Sequence, residues 1–296
     1  WEGHGVSVMD PEQEPRESSV PPEPDGLPSI DIPPDQIPGY LTTYPQVPPQ
    51  HESFPAWSAR DLATIVAFAG MVWIFLSAVT LAVARVVMSK QNIPVKDPAE
   101  NPLVALGAQS LTELAIVIFI ATWIGRHSQK GFWAAIHWNW RGRRALGLLL
   151  GGFFLALMAE FASRYLPIPK SLPVEKFFSD TAAAYLMSVL GVALAPLLEE
   201  VFFRGLFYPL VRRTVGVTPA VLLTATTFAF IHGAQLGYAW APLLSIFVVG
   251  VVLTLVRETT ESVAASYLMH CGYNLTLFGM LWVGSDHFRH LEKVAN

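Results

Sequence analysis

The chain changes character near residue 60. Beyond it, apolar residues come in long runs that lack the strict alternation of a half-buried strand. Seven runs stand out, at 62–88, 103–125, 145–166, 181–210, 217–234, 240–257 and 262–283. A hydrocarbon core of about 30 Å takes about 20 helical residues to cross. Inside lipid such a run must satisfy its own backbone hydrogen bonds, which makes it a helix. The pattern predicts an all-α fold, a polytopic membrane bundle of about seven transmembrane helices. The fourth run is too long for one straight crossing and is expected to project beyond the bilayer. The fifth and sixth are short enough for tilted or partly interfacial helices.

Before residue 60 there is no comparable run. Residues 1–60 hold 13 of the 23 prolines and no lysine. Proline fixes its own backbone angle and removes an amide donor, so an extended tail is expected there. This divides the chain into a proline-rich acidic tail, 1–60, and a membrane domain, 61–296. Residues 1–30 have no apolar core, so no signal peptide is expected within them. The tail carries ten acidic side chains against Arg16 and Arg60, while the rest of the chain has 13 acids and 17 bases. An acidic, proline-stiffened segment suits attachment to a basic protein surface, and hence a place in a larger membrane complex.

Overall, 52% of the residues are apolar and 14% are charged, against about a quarter charged in soluble domains. Mean hydropathy is +0.42. Lipid is the expected surrounding, and neither a soluble acidic enzyme nor a nucleic-acid partner fits. The single cysteine, Cys271, excludes an intramolecular disulfide framework and any Cys-x-x-Cys site. Trp133, Trp138 and Trp140 beside Arg141, Arg143 and Arg144 suit the headgroup layer. Gly147-x-x-x-Gly151 is a candidate close helix contact. With seven spans, the basic residues of 126–144 and 211–215 favour a cytoplasmic N-terminus.

Ionisable groups inside spans need a reason. Glu160 and Arg164, four apart, are expected to pair on one helix face. Glu113 in the second run reads as a structural carboxylate. The last third is richer. The fourth run holds Glu199, Glu200 and Arg204, the fifth Phe228 and His232, the seventh His270 and Asn274. Glu200 and Arg204 share a helix face, and Glu199 is turned about 100° away. Arg204 is therefore expected to clamp Glu200 and leave Glu199 free. Glu199 and His232 form a base and orienter for a water. His270 and Asn274 are donors for a tetrahedral oxyanion. Alternatively, Glu199, His232 and His270 could hold a divalent metal such as zinc, although the close His pair of a zincin helix is missing. A buried structural network is the competing explanation for the whole set.

The ordered set Glu199-Glu200-x-x-x-Arg204, Phe228-x-x-x-His232 and His270-x-x-x-Asn274 resembles the CPBP family, the CAAX-protease and bacteriocin-processing (Abi) intramembrane endopeptidases. The resemblance covers about residues 140–285. It implies an all-helical membrane fold around a polar cavity, and hydrolysis of a peptide bond in a membrane-associated protein or peptide. By this resemblance, Glu199 with His232 activates the water and His270 with Asn274 forms the oxyanion site. Glu200, Arg204 and Phe228 then give structural support. It also implies a bacterial plasma-membrane location. The alternative within the same family is a non-catalytic accessory subunit of a membrane complex, anchored by the tail.

Overall fold

The computed structural model describes residues 54–90, 98–140, 142–169 and 171–290. Residues 1–53 of the tail, with the partner role assigned to them, lie outside these. Seven long helices follow: α1 Ala59–Lys90, α2 Pro102–His127, α3 Ala145–Ser163, α4 Thr181–Val215, α5 Val217–Ile231, α6 Trp240–Thr260 and α7 Val263–Gly284. Each predicted apolar run is one of them, and no strand occurs among the described residues. The fold is all-α.

The expected count of seven spans is not confirmed. Five helices, α1 to α4 and α6, are long and apolar enough to cross a membrane. α5 has only 15 residues, about 22 Å at the helical rise, which is short of the hydrocarbon thickness. α7 has the length, but Ser266, His270, Tyr273 and Asn274 interrupt its apolar character. His232 immediately follows α5, and His270 lies on α7.

Local chemistry sets the boundaries. Asn101 caps α2 by accepting from the amides of Leu103 and Val104, and Pro102 occupies the first turn. Asp180 caps α4 through the Ala183 amide at 2.8 Å. Ser262 caps α7 through the Ala265 amide at 3.3 Å. Gly216, with φ of 81°, breaks the chain between α4 and α5, a conformation that a side chain disfavours.

α7 lies at the centre and packs against α3, α4 and α6, while α5 lies on α6 and α1 on α2. The closest approach is between α3 and α7. A Cβ at Gly152 would collide with the Met269 carbonyl, and one at Gly272 with the Leu149 carbonyl. The backbones touch there because both residues lack side chains. The contact expected of Gly147-x-x-x-Gly151 is shifted accordingly: Gly147 faces open space. The expected Glu160–Arg164 pair does not form. Both side chains are exposed and no ion pair joins them, because α3 ends at Ser163 and Arg164 lies just past it.

The segment before α1 packs into the bundle. Trp57 is buried among Ile65, Ile120, Ile124, Val201 and Leu206, and its indole N–H donates to the Leu206 carbonyl at 3.0 Å. Trp133 and Trp140 remain exposed, as a headgroup belt requires.

Candidate active site

α4 is not a uniform α-helix. It widens to i→i+5 bonding over Leu190–Leu194 and again over Glu200–Phe207. The amide of Ala195 bonds to the carbonyl of Leu190, and that of Tyr208 to Phe203, each five residues back. A proline follows each wide stretch: Pro196 and Pro209. In this register the Gly191 carbonyl faces residue 196, which has no N–H to offer. The Asn274 amide fills the gap, with Nδ2 donating to Gly191 O at 2.7 Å. One N–H of Asn274 is thereby fixed and the other remains.

The two glutamates part company at this point. Glu200 is fully buried, and its Oε1 accepts from Arg204 Nη1 and from His270 Nδ1, both at 2.9 Å. Arg204, also fully buried, donates through Nη2 to the Gly250 carbonyl at 3.0 Å and reaches Thr254 Oγ1 from Nε at 3.4 Å. Its guanidinium lies 4.5 Å from the centre of the Phe228 ring, a cation–π contact. Phe228 in turn packs edge-on against Phe203. These contacts tie α4, α5, α6 and α7 together around one ion pair.

Glu199 faces the other way, into a cavity of about 310 Å³ that His232, His270 and Asn274 also line. The four residues expected to carry chemistry are thus brought together. His232 Nδ1 lies 2.8 Å from the Phe228 carbonyl, and a carbonyl can only accept. The proton is therefore on Nδ1, and in the neutral ring Nε2 presents a lone pair. It lies 3.8 Å from Glu199 Oε1. His270 is held in the same sense: Nδ1 donates to Glu200, and Nε2 lies 3.6 Å from Glu199 Oε2. The free carboxylate sits between two imidazole Nε2 atoms, near both and hydrogen-bonded to neither.

The donor types of Glu199, His232 and His270 are those of a zinc site. Among the described residues, however, no group of three or more His, Cys, Asp or Glu side chains is arranged to hold a metal ion. Glu199, His232 and His270 line one cavity without closing into such a group.

Several functional neighbours were not legible beforehand. The sequence reading paired Glu200 with Arg204 alone; the structure adds His270, so the supporting pair also orients a residue of the cavity. Gly250 and Thr254 carry no motif, because one contributes a backbone carbonyl and the other a short hydroxyl. Asn274 has a backbone partner as well as a place in the cavity. The signal for that was present, in Gly191 and Pro196 five residues apart. Glu113 is buried in α2. Its Oε1 accepts from Gln109 Nε2 at 2.8 Å, and its Oε2 has no hydrogen-bond partner among the described residues.

Residues 181–276 match the family model of the Rce1-like type II CAAX prenyl endopeptidases. No curated protein and no solved structure gives a match. The matched stretch runs from the start of α4 into α7 and contains Glu199, Glu200, Arg204, Phe228, His232, His270 and Asn274. This part of the chain is similar to the Rce1-like endopeptidases, in keeping with the resemblance to the CPBP family, and the long apolar helices make the chain an integral membrane protein.

Proposed function

We propose that the Rce1-like domain of this chain is an intramembrane endopeptidase that hydrolyses a peptide bond in a membrane-associated protein or peptide, using water activated by Glu199. One observation carries this reading. The Glu199 carboxylate faces a cavity between His232 Nε2 and His270 Nε2, at separations a water molecule can bridge.

In the proposed reaction, Glu199 takes a proton from the water while His232 Nε2 accepts the water's other hydrogen and holds its orientation. The water oxygen forms a bond to the scissile carbonyl carbon, and the carbonyl electron pair moves to oxygen. That oxyanion meets the free N–H of Asn274 and the Nε2–H of His270 in its imidazolium form. Because Nδ1 already donates to Glu200, Nε2 can donate only when His270 is doubly protonated. Glu200 supplies the counter-charge. Collapse of the intermediate breaks the C–N bond, and the proton held by Glu199 passes to the leaving nitrogen. The products are a carboxylate and an amine, and Glu199 is restored.

The test uses the full chain in liposomes with a panel of membrane-inserted peptides, each labelled at both ends. Cleavage by the parent and its loss in Glu199→Gln is the expected result. A Glu199→Gln protein that cleaves as fast as the parent would refute the assignment. A parent that cleaves no peptide of the panel would favour the accessory-subunit reading.

A further inference from the structure

The cavity at Glu199 is not isolated. A second cavity of about 550 Å³ lies between the middle of α1, the first turns of α2, the turn Pro173–Phe178 and the residues that follow α5. Gln109, Val174 and Gln235 line both cavities. The two spaces are therefore neighbours that meet at these three residues. The volume of the outer one is in the range of ligand sites, about 300–1,000 Å³.

The outer wall is largely apolar, with Trp73, Leu81, Val104 and Phe177 among its members. Lys176 is the one charged residue among the described residues that line it. No described carboxylate neutralises it. The adjacent Glu175 accepts from the Leu172 amide at 3.0 Å, and Lys176 Nζ lies 5.1 Å from the Phe177 ring centre. A cation at the rim of an apolar cavity is complementary to a ligand that is apolar along its length and carries one carboxylate.

The junction has a different character. Gln109 is fixed through Nε2 to Glu113, which leaves its carbonyl oxygen and its second N–H for a ligand. The side chain of Gln235 makes no hydrogen bond among the described residues, while its main-chain carbonyl accepts from the Val174 amide at 3.0 Å. A peptide in an apolar channel must pair each buried N–H and C=O. Primary amides offer both kinds of partner, and two of them stand at the boundary shared by the two cavities.

We propose that the outer cavity is a substrate subsite. An extended peptide passes through it, its backbone held by Gln109 and Gln235, with a substrate carboxylate on Lys176 and the scissile carbonyl at Glu199. Glu113 is a positioning residue for Gln109. The carboxylate belongs either to the peptide's C-terminus or to an acidic side chain. This inference rests on the peptidase reading for its orientation, but it can be tested without catalysis.

The experiment measures binding to the full chain carrying Glu199→Gln, in lipid nanodiscs. Three fluorescent apolar hexapeptides serve as probes: a free acid, its C-terminal amide, and the amide with one internal aspartate. At least one carboxylate peptide should bind about tenfold more tightly than the neutral amide, a difference of about 1.4 kcal/mol. The tighter of the two identifies the source of the carboxylate. Lys176→Met should remove the preference and Lys176→Arg should keep it. The double variant Gln109→Leu, Gln235→Leu should weaken all three probes together, while the carboxylate preference persists. Equal binding of the three probes, no binding of any, or a preference that survives in Lys176→Met overturns the subsite. Cleavage is then followed in the parent. If the preference holds and nothing is cleaved, the peptidase reading fails and the subsite stands. If cleavage occurs without a carboxylate preference, the subsite alone fails.

Discussion

Glu199 and Glu200 are adjacent in sequence and have opposite surroundings. Glu200 is walled in completely: Arg204 and His270 share one of its oxygens, and Gly250 and Thr254 take the rest of the arginine. Glu199 lies beside a cavity and has no hydrogen bond to either histidine. One step of about 100° along the helix separates them. A buried charge is tolerable only if paired, so Glu200 must keep its ion pair for the protein to fold, although its Oε2 has no hydrogen-bond partner among the described residues. The Glu199 side can stay incomplete because it opens on space. Under the proposed function, stability belongs to one carboxylate and chemistry to the other, a division that experiment can break from either side.

The sharpest break is at Glu199. In Glu199→Gln the amide keeps the shape and loses the base, so the rate of peptide hydrolysis should fall by about 10²- to 10⁴-fold. Thermal unfolding in detergent should barely move, since the replaced carboxylate makes no hydrogen bond in the resting site. A large drop in unfolding temperature would mean that Glu199 is structural after all.

Arg204→Ala should do the reverse. It strands Glu200 in a dry interior, and breaking a buried pair in this way costs about 3–5 kcal/mol. The expected result is poor yield and a markedly lower unfolding temperature. A double-mutant cycle with Glu200→Gln should recover part of the loss, because it removes the stranded charge. Additive losses in that cycle would show that the two residues do not act as a pair.

Asn274 belongs to both sides. Its amide holds the Gly191 carbonyl and also lines the cavity. Asn274→Ala should lower the turnover rate by about 10²- to 10³-fold, as loss of an oxyanion donor does. It should also cost about 1–3 kcal/mol of stability, for a buried carbonyl left without a partner. A stability loss with full activity in the remaining folded protein would leave Asn274 a purely structural residue.

How much of this could be read from the sequence follows the same division. The helices were legible because lipid leaves an apolar run little choice, and each of the seven runs is a helix. The motif residues were legible as an ordered set, and they meet at one cavity. What escaped were partners with no side-chain signature. Arg204 bonds to the Gly250 carbonyl, and any residue at 250 would present a carbonyl. The wide turns of α4 were written in its prolines, yet only the fold shows that Asn274 answers the freed Gly191 carbonyl. Local spacing was also over-trusted at Glu160 and Arg164, where the helix stops before the pair can form. The count of seven spans is not confirmed, for a related reason. α7 departs from a plain lipid-crossing composition because it carries His270 and Asn274, and α5 stops short, at Ile231, just before His232.

The smallest expected effect is the most discriminating about where the structural side ends. Thr254 is fully buried on α6. Its hydroxyl donates to the Gly250 carbonyl at 2.7 Å and receives the Arg204 Nε–H at 3.4 Å. Thr254→Val keeps the shape and removes the oxygen. Arg204 retains Glu200 and Gly250 as partners and loses only a long Nε contact, while the local 2.7 Å bond to the Gly250 carbonyl goes with the hydroxyl. The cost should be about 1 kcal/mol, near the net value of one hydrogen bond. Thr254 does not line the cavity, so hydrolysis by the folded protein should match the parent. Unfolding in detergent and a cleavage assay on the same preparation check both halves. A rate loss without a stability loss would mean that the arginine cluster tunes the reaction itself, and that the boundary between the two glutamates is less sharp than their surroundings imply.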